Sequence, residues 1–375
     1  MQVGARPVDG APRTGRLPRD DPHRDGHAPR PERHRPVAAS RRCGVVRPLS
    51  APGPDVTVVV VAYNCAPFLG DCLSSILGGQ GTSPRAEIVV VDNASSDDSV
   101  GVARSFGHSV RVVRNEENVG FGAAVNQAAA TSRALYLLLV NPDAVLAPGA
   151  IAELVAFADA HEGHGLYGGR AVEPDGTLDP KSCWGLPSLW SMFCFATGLS
   201  SVFDSSPLFN PTALPGWGRD TVREVGAISG CLLLARRSAW DALGGFDEDF
   251  FLYGEDIDLG ARARAAGFRP VVVPTAQVVH AVGGSTPEAA ARTILLLRGR
   301  ATYLRKRWAQ PAQLIGLALL QGGVAGRAAV ESLTARRRDV VGRRWRTAWA
   351  SRRGWVAGYV GSPGARAGAS GQRLA

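Results

Sequence analysis

The chain has 375 residues, of which 45% are hydrophobic and 20% are charged. That length allows two domains or one large domain with tails, and the composition supports a buried core, which excludes wholesale disorder. The longest unbroken apolar runs, such as residues 58–62 and 137–140, are far shorter than the roughly 20 residues of a membrane span. No signal peptide is visible. Six scattered cysteines without a C-x-x-C pair are typical of a reduced, cytoplasmic protein.

The net charge of +9 is distributed unevenly along the chain. Residues 1–50 hold eleven arginines against five acidic residues, and residues 286–375 hold seventeen basic residues against three acidic ones. The middle of the chain, residues 51–285, is therefore acidic. A nucleic-acid-binding domain concentrates positive charge on its folded body, so we do not expect nucleic acid as a partner.

The pattern of the chain predicts one folded α/β domain between two tails. The Arg- and Pro-rich residues 1–54 and the Gly-rich residues 361–375 are predicted to be disordered. From residue 55, continuous apolar runs typical of strands buried on both faces alternate with segments of helical periodicity. The strands are predicted at residues 56–62, 87–91, 110–113 and 135–140. This alternation indicates a mostly parallel sheet.

Polar residues follow each of these four strands. They are Tyr63 and Asn64 after the first strand, Asp92 and Asn93 after the second, residues 115–122 after the third, and residues 141–143 after the fourth. In open parallel sheets, ligands bind at the carboxyl ends of the strands, so these clusters should meet on one rim. Each cluster alone is also ordinary turn chemistry. Their joint placement favours a binding site.

Two of these clusters hold an aspartate that directly follows a buried strand. Asp143 is a candidate ligand for Mg²⁺ or Mn²⁺ bound to a diphosphate, or a simple turn or helix-cap residue. Asp92 could accept a hydrogen bond from a base or ribose, or cap the next helix. The glycine loop Gly120-Phe121-Gly122 is not the dinucleotide fingerprint, because Val125 occupies the third glycine position.

The densest acidic cluster places six carboxylates between Asp247 and Asp258, separated by large aromatic residues. This mixture indicates carboxylates at the edge of a partly apolar cleft, where burial raises a pKa towards that of a general base. Glu255 to Asp258 also resemble the acidic first turn of a helix. His280, after a further predicted strand at residues 270–273, is either structural or a metal ligand.

Six ordered motifs resemble those of glycosyltransferase family 2, and most closely its bacterial rhamnosyltransferases. The resemblance covers residues 55–285 and is carried by the segments 59–64, 90–95, 118–122, 141–143, 245–248 and 253–256. It implies a GT-A fold, a nucleotide-diphosphate sugar donor, a divalent metal and inversion at the anomeric carbon.

The resemblance also implies roles for individual residues. Asp256 would be the catalytic base with Glu255 beside it, and Asp143 would hold the metal with support from His280. Asn141 stands where the family's metal motif has its first aspartate, so metal binding would depend mainly on Asp143. The donor and its nucleotide would be bound by a set of rim residues: Tyr63, Asn64, Asp92, Asn93, Asn118, Gly120, Gly122, Asn126 and Asn141.

The remaining segments are interpreted from composition. Residues 181–223, which contain Trp184 and Trp217, are the candidate acceptor region, with ordinary loop packing as the alternative. Residues 286–360 are predicted to form a basic amphipathic helical extension on an anionic membrane, with a solvated helical tail as the alternative. Arg305-Lys306-Arg307-Trp308 is similar to a motif of processive synthases, but Leu304 replaces the leading glutamine, so processive synthesis is not expected.

The sequence therefore predicts a metal-dependent inverting glycosyltransferase, peripheral to the inner face of the cell membrane. It would transfer L-rhamnose from dTDP-rhamnose to a lipid-linked or polysaccharide acceptor. A UDP-sugar donor and a non-catalytic carbohydrate-binding scaffold on the membrane remain open. A sugar-nucleotide pyrophosphorylase would need a glycine-rich phosphate loop after the first strand, where Tyr63-Asn64-Cys65 stands instead.

Overall fold

The computed structural model describes residues 53–79, 84–280, 289–334 and 344–359. Most of the two predicted disordered tails, and residues 286–288, 335–343 and 360 of the predicted helical extension, lie outside these residues. The strands are β1 (Val56–Ala62), β2 (Ala86–Asp92), β3 (Val110–Arg114), β4 (Tyr136–Val140), β5 (Ala144–Leu146), β6 (Leu166–Val172), β7 (Cys183–Trp184), β8 (Arg223–Glu224), β9 (Ala227–Ile228), β10 (Leu232–Arg236) and β11 (Val271–His280).

The helices alternate with these strands and then continue alone to the end of the described chain. They are α1 (Ala66–Gly78), α2 (Ser99–Ser105), α3 (Phe121–Thr131), α4 (Ala150–Ala160), α5 (Leu189–Thr197), α6 (Leu199–Val202), α7 (Arg237–Leu243), α8 (Glu255–Ala265), α9 (Ala289–Arg307), α10 (Ala312–Thr334), α11 (Arg344–Ala350) and α12 (Arg352–Ala357).

The main sheet has the order β3-β2-β1-β4-β10-β6-β11-β5, with β8 beside β11. Strands β1 to β4 are parallel, and β10 runs antiparallel between β4 and β6. The predicted α/β class with a mostly parallel sheet is confirmed. Every residue of β1 is buried because apolar helices cover both faces of the sheet. Helices α1 and α4 pack on one face, and α3, α7 and α8 pack on the other.

Strand β11 is longer than the sequence indicates and brings distant parts of the chain together. It was predicted at residues 270–273, but it continues through an irregularity between Val273 and Gln277 to His280. It pairs with β6 in parallel and with β5 in antiparallel register, and His280 lies opposite Ala144. The end of β11 therefore reaches the rim that follows β4.

The C-terminal helices pack against the α/β domain around a third apolar core. Phe250 and Met192 meet Leu304, Leu320 and Trp355 there, and all five are nearly inaccessible to solvent. The C-terminal helices also form ion pairs with residues 246–258, called the acidic segment below. We did not expect such ion pairs from a tail that faces a membrane. Lys306 Nζ lies 2.6 Å from an Asp247 carboxylate oxygen and 2.5 Å from one of Asp249, and Arg307 pairs with Asp247 and Asp258.

Helix α10 differs from the sequence prediction in length. The sequence predicts only a short apolar segment at residues 313–320, which is too short to span a membrane. The helix has 23 residues and, by length and composition alone, is long and apolar enough to cross a membrane. A single helix of this kind is weak evidence for a span, and 33% of its most apolar window is buried inside the fold.

Because α9 to α12 share a core with residues of the α/β domain, we expect both parts to unfold in one transition. Phe250→Ala should lower the free energy of unfolding by about 3 to 5 kcal/mol, the usual cost of deleting a buried phenylalanine ring. The matched control Val202→Ala, at a side chain 73% exposed, should change it by less than about 0.5 kcal/mol.

The measurement is chemical denaturation followed by circular dichroism and by tryptophan fluorescence. Two separate transitions, with only one of them shifted by Phe250→Ala, would show that the helices form an independent unit.

Candidate active site

Hydrogen bonds join the loops that follow β1, β2 and β3. Asn64 has a left-handed backbone (φ 51°), and its Oδ1 accepts from the Ser96 amide at 2.7 Å. Asn93 is buried, donates from Nδ2 to the Gly120 carbonyl at 3.1 Å, and accepts from Asn115 at 2.8 Å. These bonds gather the predicted rim residues onto one edge of the sheet.

Asp92 ends β2 and does not cap the next helix, because the N-cap position of α2 is Asp98. One carboxylate oxygen, Oδ2, accepts from the Ser95 amide at 3.2 Å, as expected of a turn residue. The other oxygen, Oδ1, is buried and has no hydrogen-bond partner in the described residues. Tyr63, at the end of β1, is 41% exposed on the same rim. The rim thus offers an unused acceptor beside an accessible aromatic ring.

The glycine loop before α3 contacts the acidic segment directly. Asn118 Oδ1 accepts from the Gly120 amide at 3.0 Å, and Gly120 has φ +90°. A side chain at Gly120 would place its Cβ 2.5 Å from the Phe251 carbonyl oxygen, and one at Gly122 would crowd Phe246. Both glycines are therefore needed for this close approach, and their donor-binding role stays a prediction.

Asn126 lies further along α3 and is occupied by the same acidic segment. Its Nδ2 donates to the Phe246 carbonyl at 2.9 Å and to Glu248 at 3.1 Å, and its Oδ1 accepts from the Phe246 amide at 3.0 Å. These bonds fasten the segment to α3. They give Asn126 a structural role and do not favour the donor-binding role predicted for it.

The end of β11 brings His280 between two buried carboxylates. Its Nδ1 is 3.0 Å from Asp179 Oδ2, and its Nε2 is 3.4 Å from Asp143 Oδ1. Asn141 also reaches Nε2, with its Nδ2 3.5 Å away. Burial alone would lower the pKa of His280, but bonds and charges of Asp143 and Asp179 raise it to about 9. The structure thus joins the two residues predicted to serve the metal.

Asp179 was missed by the sequence analysis. It is 1% exposed, and its second oxygen accepts from the Lys181 amide at 2.9 Å, so its carboxylate is fixed on both sides. An aspartate before a proline has the appearance of an ordinary turn residue, and here it does begin a short 3₁₀ turn at Pro180–Ser182. Only the neighbouring histidine distinguishes it from other turn residues.

The donor set at this point fits a divalent cation that shares its ligands with a diphosphate. Oδ1 of Asp143 is buried and makes no aligned hydrogen bond, so it is available to a cation. Within the described residues, no group of three or more His, Cys, Asp or Glu side chains is arranged to hold a metal. One carboxylate and one imidazole therefore leave the remaining positions to substrate oxygens and water, as Mg²⁺ commonly accepts.

The predicted base stands at the first turn of α8. Gly254, with φ +98°, caps the helix, and Asp256 Oδ1 accepts from the Ile257 amide at 2.7 Å. Burial raises the pKa of Asp256, while hydrogen bonds from Ile257 and from the Trp184 side chain act in the opposite direction. Glu255 is 6% exposed, and one of its oxygens has no partner in the described residues. Burial and the charge of Asp256 raise the pKa of Glu255.

The two predicted acceptor tryptophans have different surroundings. Trp184 lies in β7 beside Asp256, as an acceptor-region residue should. Trp217 is 9% exposed and donates from its indole to Thr221, and its ring contacts the guanidinium groups of Arg219 and Arg223. Ordinary loop packing therefore describes Trp217 better than sugar stacking does.

A short path of chain connects the His280 cluster to the base. Asp179 begins the 3₁₀ turn that ends at Ser182, and β7 with Trp184 follows at once. Backbone bonds hold this path in place, since the Ser182 carbonyl accepts from Ser229 at 2.9 Å and that of Trp184 accepts from Gly226 at 2.8 Å. Trp184, which contacts Asp256, is therefore only five residues after Asp179, which contacts His280.

Comparison with known proteins assigns the class of this fold. Structural similarity, at a TM-score of 0.50 and 20% identity, is found to the mannosyltransferase PcManGT from Pyrobaculum calidifontis, solved with GDP-Man and Mn²⁺, and covers 82% of this chain and 84% of that one. A TM-score of 0.51 at 15% identity relates it to GalNAc-T7, over 79% of this chain and 54% of the other. These similarities show that the chain has the GT-A fold.

Sequence comparison narrows the class further. Residues 57–212 match the family described as Glycosyl transferase family 2, and residues 216–301 match Glycosyltransferase like family 2. The chain is 32% identical over 244 residues to N-acetylglucosaminyl-diphospho-decaprenol L-rhamnosyltransferase of Mycobacterium tuberculosis, over 61% of this chain and 76% of that protein. It is 29% identical to succinoglycan biosynthesis protein ExoU of Rhizobium meliloti, over 65% and 67%. The chain belongs to glycosyltransferase family 2, in its rhamnosyltransferase-like branch.

The raised pKa of Glu255 predicts a pH-dependent cost to stability. Between the ordinary glutamate pKa, near 4.5, and the higher folded value, the folded protein holds a proton that the unfolded chain has released. The wild type should therefore lose stability relative to Glu255→Gln as pH rises through this window. The difference should reach at least about 1 kcal/mol, because each unit of pKa shift is worth about 1.4 kcal/mol.

Urea denaturation at a series of pH values measures this difference. Glu117→Gln, at an exposed position, is the matched control and should differ from the wild type by a constant amount. A Glu255→Gln difference that is equally flat with pH would contradict the raised pKa.

Proposed function

We propose that the protein transfers L-rhamnose from dTDP-rhamnose to a lipid-linked acceptor, with inversion and with help from Mg²⁺ or Mn²⁺. The observation that carries this proposal is the short path of chain between the Asp143–His280–Asp179 cluster and the carboxylate of Asp256. This path supports a diphosphate site at the cluster and a base at Asp256, joined by one short stretch of chain. The rhamnosyl donor and the lipid-linked acceptor are supported by the similarity to the decaprenol-linked L-rhamnosyltransferase of Mycobacterium tuberculosis.

The donor nucleotide would be bound at the ends of β1 and β2. Asp92 Oδ1 is a buried acceptor without a partner among the described residues, which suits a hydrogen bond from a base or ribose. Tyr63 is exposed beside it and offers an aromatic surface for stacking. Asn64 and Asn93 are bonded to neighbouring loops, so they would shape this pocket through the backbone.

The diphosphate would lie at the ends of β4 and β11. Asp143 and His280 would hold the divalent cation, which when bound neutralises charge that develops on the departing diphosphate. Asp179 would fix the orientation of the His280 ring through Nδ1, and Nε2 would have to lose its proton in order to bind the cation, because the pKa of His280 is raised to about 9. Asn141, whose amide reaches the same nitrogen, would maintain the polar surroundings of this atom.

Asp256 would take the proton from the acceptor hydroxyl as its oxygen attacks the anomeric carbon. Attack from the face opposite the diphosphate gives inversion and needs no covalent intermediate on the protein. Burial brings the pKa of Asp256 upward, closer to the working pH, while the Trp184 side chain favours the charged form that can accept a proton. The charge of Asp256 raises the pKa of the neighbouring buried Glu255, so Glu255 would keep its proton while Asp256 is ionised.

The direct experiment measures donor binding and turnover in the same protein. Titration calorimetry of the full chain should show preference for dTDP-rhamnose over UDP-glucose and UDP-galactofuranose, and the binding should weaken when a chelator removes the metal. Asp256→Asn should lower kcat by about 10² to 10⁴-fold, the usual contribution of a general base, while donor affinity is retained. Asp71→Asn, an exposed carboxylate on α1, is the control and should leave both quantities unchanged.

Each part of the proposal can fail separately in this experiment. Preference for a UDP-sugar would contradict the rhamnosyl donor and leave the base untouched. Normal turnover of Asp256→Asn would remove Asp256 from the proposed mechanism. Absence of binding to all three donors would contradict catalysis and favour a carbohydrate-binding scaffold.

Asp179 gives a prediction that does not depend on turnover. Asp179→Asn should weaken Mn²⁺ binding by about 10 to 100-fold, the usual effect of losing a carboxylate that orients a metal-binding histidine. The measurement is electron paramagnetic resonance of free Mn²⁺ in the presence of the protein. Asp175→Asn, in an exposed turn four residues earlier, is the matched control. Equal Mn²⁺ affinity of the two variants would show that Asp179 does not position His280 for a metal.

A further inference from the structure

Helix α10 exposes an apolar stripe along its whole length. The stripe consists of Leu314, Ile315, Ala318, Ala329, Val330 and Leu333, which recur at helical spacing on the exposed side together with Gly322 and Gly326. The largest side chains are well exposed, with values of 60% for Leu314, 47% for Ile315, 61% for Val330 and 81% for Leu333. A surface helix of a globular domain normally turns such a stripe towards the core.

The charged side chains of α10 are directed away from this stripe, towards the rest of the fold. Arg327 donates to the Phe195 carbonyl at 2.7 Å and to the Ser201 hydroxyl at 3.1 Å. Glu331 accepts from the backbone amides of Trp345 and Arg346 at the start of α11. Arg327 and Glu331 are the only charged residues of α10, and both are bonded to the rest of the fold. The two charged side chains of this helix are therefore bonded to the rest of the fold, and its exposed side is apolar.

The neighbouring helix α5 enlarges the exposed apolar surface. It packs against α10 where Phe195 lies over Gly323. On its exposed side it carries Leu189, Trp190 and Phe193, each about 40% exposed, and the Trp190 and Phe193 rings stack at 5.6 Å. Tryptophan is enriched where an apolar phase meets water, because its ring is apolar and its indole N–H needs a polar partner.

The positive charge of the C-terminal helices favours an anionic partner for this surface. Lys306 and Arg307 pair with acidic residues of the α/β domain, and the rest of helices α9 to α12 contains nine arginines and a single acidic residue, Glu331. A second copy of the chain would bring two such basic surfaces together, and like charges in contact are repelled. An anionic lipid surface is attracted by the same charge, at about 1 kcal/mol for each basic residue close to it.

We propose that the α10 stripe and the exposed face of α5 dock on the surface of an anionic lipid bilayer, with α10 lying in the plane of the membrane. A spanning orientation would require α10 to leave α5, α9 and α11 and to carry Arg327 and Glu331 into the hydrocarbon. The in-plane orientation keeps every inward bond and places only the stripe in lipid.

The role of this membrane contact rests on the proposed function, because it would bring the active site to a lipid-linked acceptor. Trp184, beside Asp256, is five residues before Leu189, the first exposed residue of α5. A bilayer in contact with α5 would therefore lie close to the predicted base. A sugar acceptor carried on a lipid would reach Asp256 without leaving the membrane.

The test is vesicle flotation of the full chain, without donor or acceptor. The wild type should float with phosphatidylcholine vesicles that contain phosphatidylglycerol, and much less with phosphatidylcholine alone. The variant Leu314→Gln/Ile315→Gln/Val330→Gln/Leu333→Gln should bind the anionic vesicles at least about tenfold more weakly, because its apolar stripe is lost. Leu135→Gln/Val222→Gln, at exposed apolar residues outside the surface, is the matched control.

Several outcomes would overturn the proposal. Vesicle binding by the four-site variant that equals the wild type would show that the stripe does not contact lipid. Sedimentation that gives a dimer for the wild type and a monomer for the variant, without vesicle binding, would assign the stripe to a second copy. Retention of the wild type after an alkaline carbonate wash would indicate a spanning helix. Donor binding by calorimetry, measured on the same variant, separates these failures from failure of the proposed function.

Discussion

The contact of His280 with two buried carboxylates organises the site, because it joins three segments that are far apart in the chain. Asp143 follows β4, His280 ends β11, and Asp179 lies between β6 and β7. The imidazole can reach both acids only because β11 runs between β6 and β5 in the observed register. A shift of one residue in β11 would turn His280 to the other face of the sheet and remove the imidazole from both carboxylates.

The sequence predicts the first half of the α/β core well, because its strands are buried on both faces. Continuous apolar runs such as Val56–Ala62 indicate strands that are covered on both faces, and polar residues at their ends mark the rim. It does not predict the second half, where β7, β8 and β9 have two residues each and carry no periodicity. The importance of Asp179 is hidden for the same reason, since its partner His280 is 101 residues away in the chain.

The C-terminal helices show how charge in a sequence can be misread. Lys306 and Arg307 have the appearance of a membrane-binding cluster, but their counter-charges are Asp247, Asp249 and Asp258. No local pattern reveals an ion pair between segments that are 49 or more residues apart. The apolar stripe of α10 was missed for a related reason. Its helix is apolar on both sides, so composition alone cannot distinguish the exposed side from the buried one.

The ion pair between Arg307 and Asp258 also sets an order of events during synthesis. Asp258 lies in the first turns of α8, beside the proposed base, and its carboxylate is completely buried. Arg307 leaves the ribosome 49 residues later. Until then Asp258 has Arg262, four residues further along α8 and 2.7 Å away, as its cationic partner. The second ion pair of this buried carboxylate therefore forms only after α9 has been made.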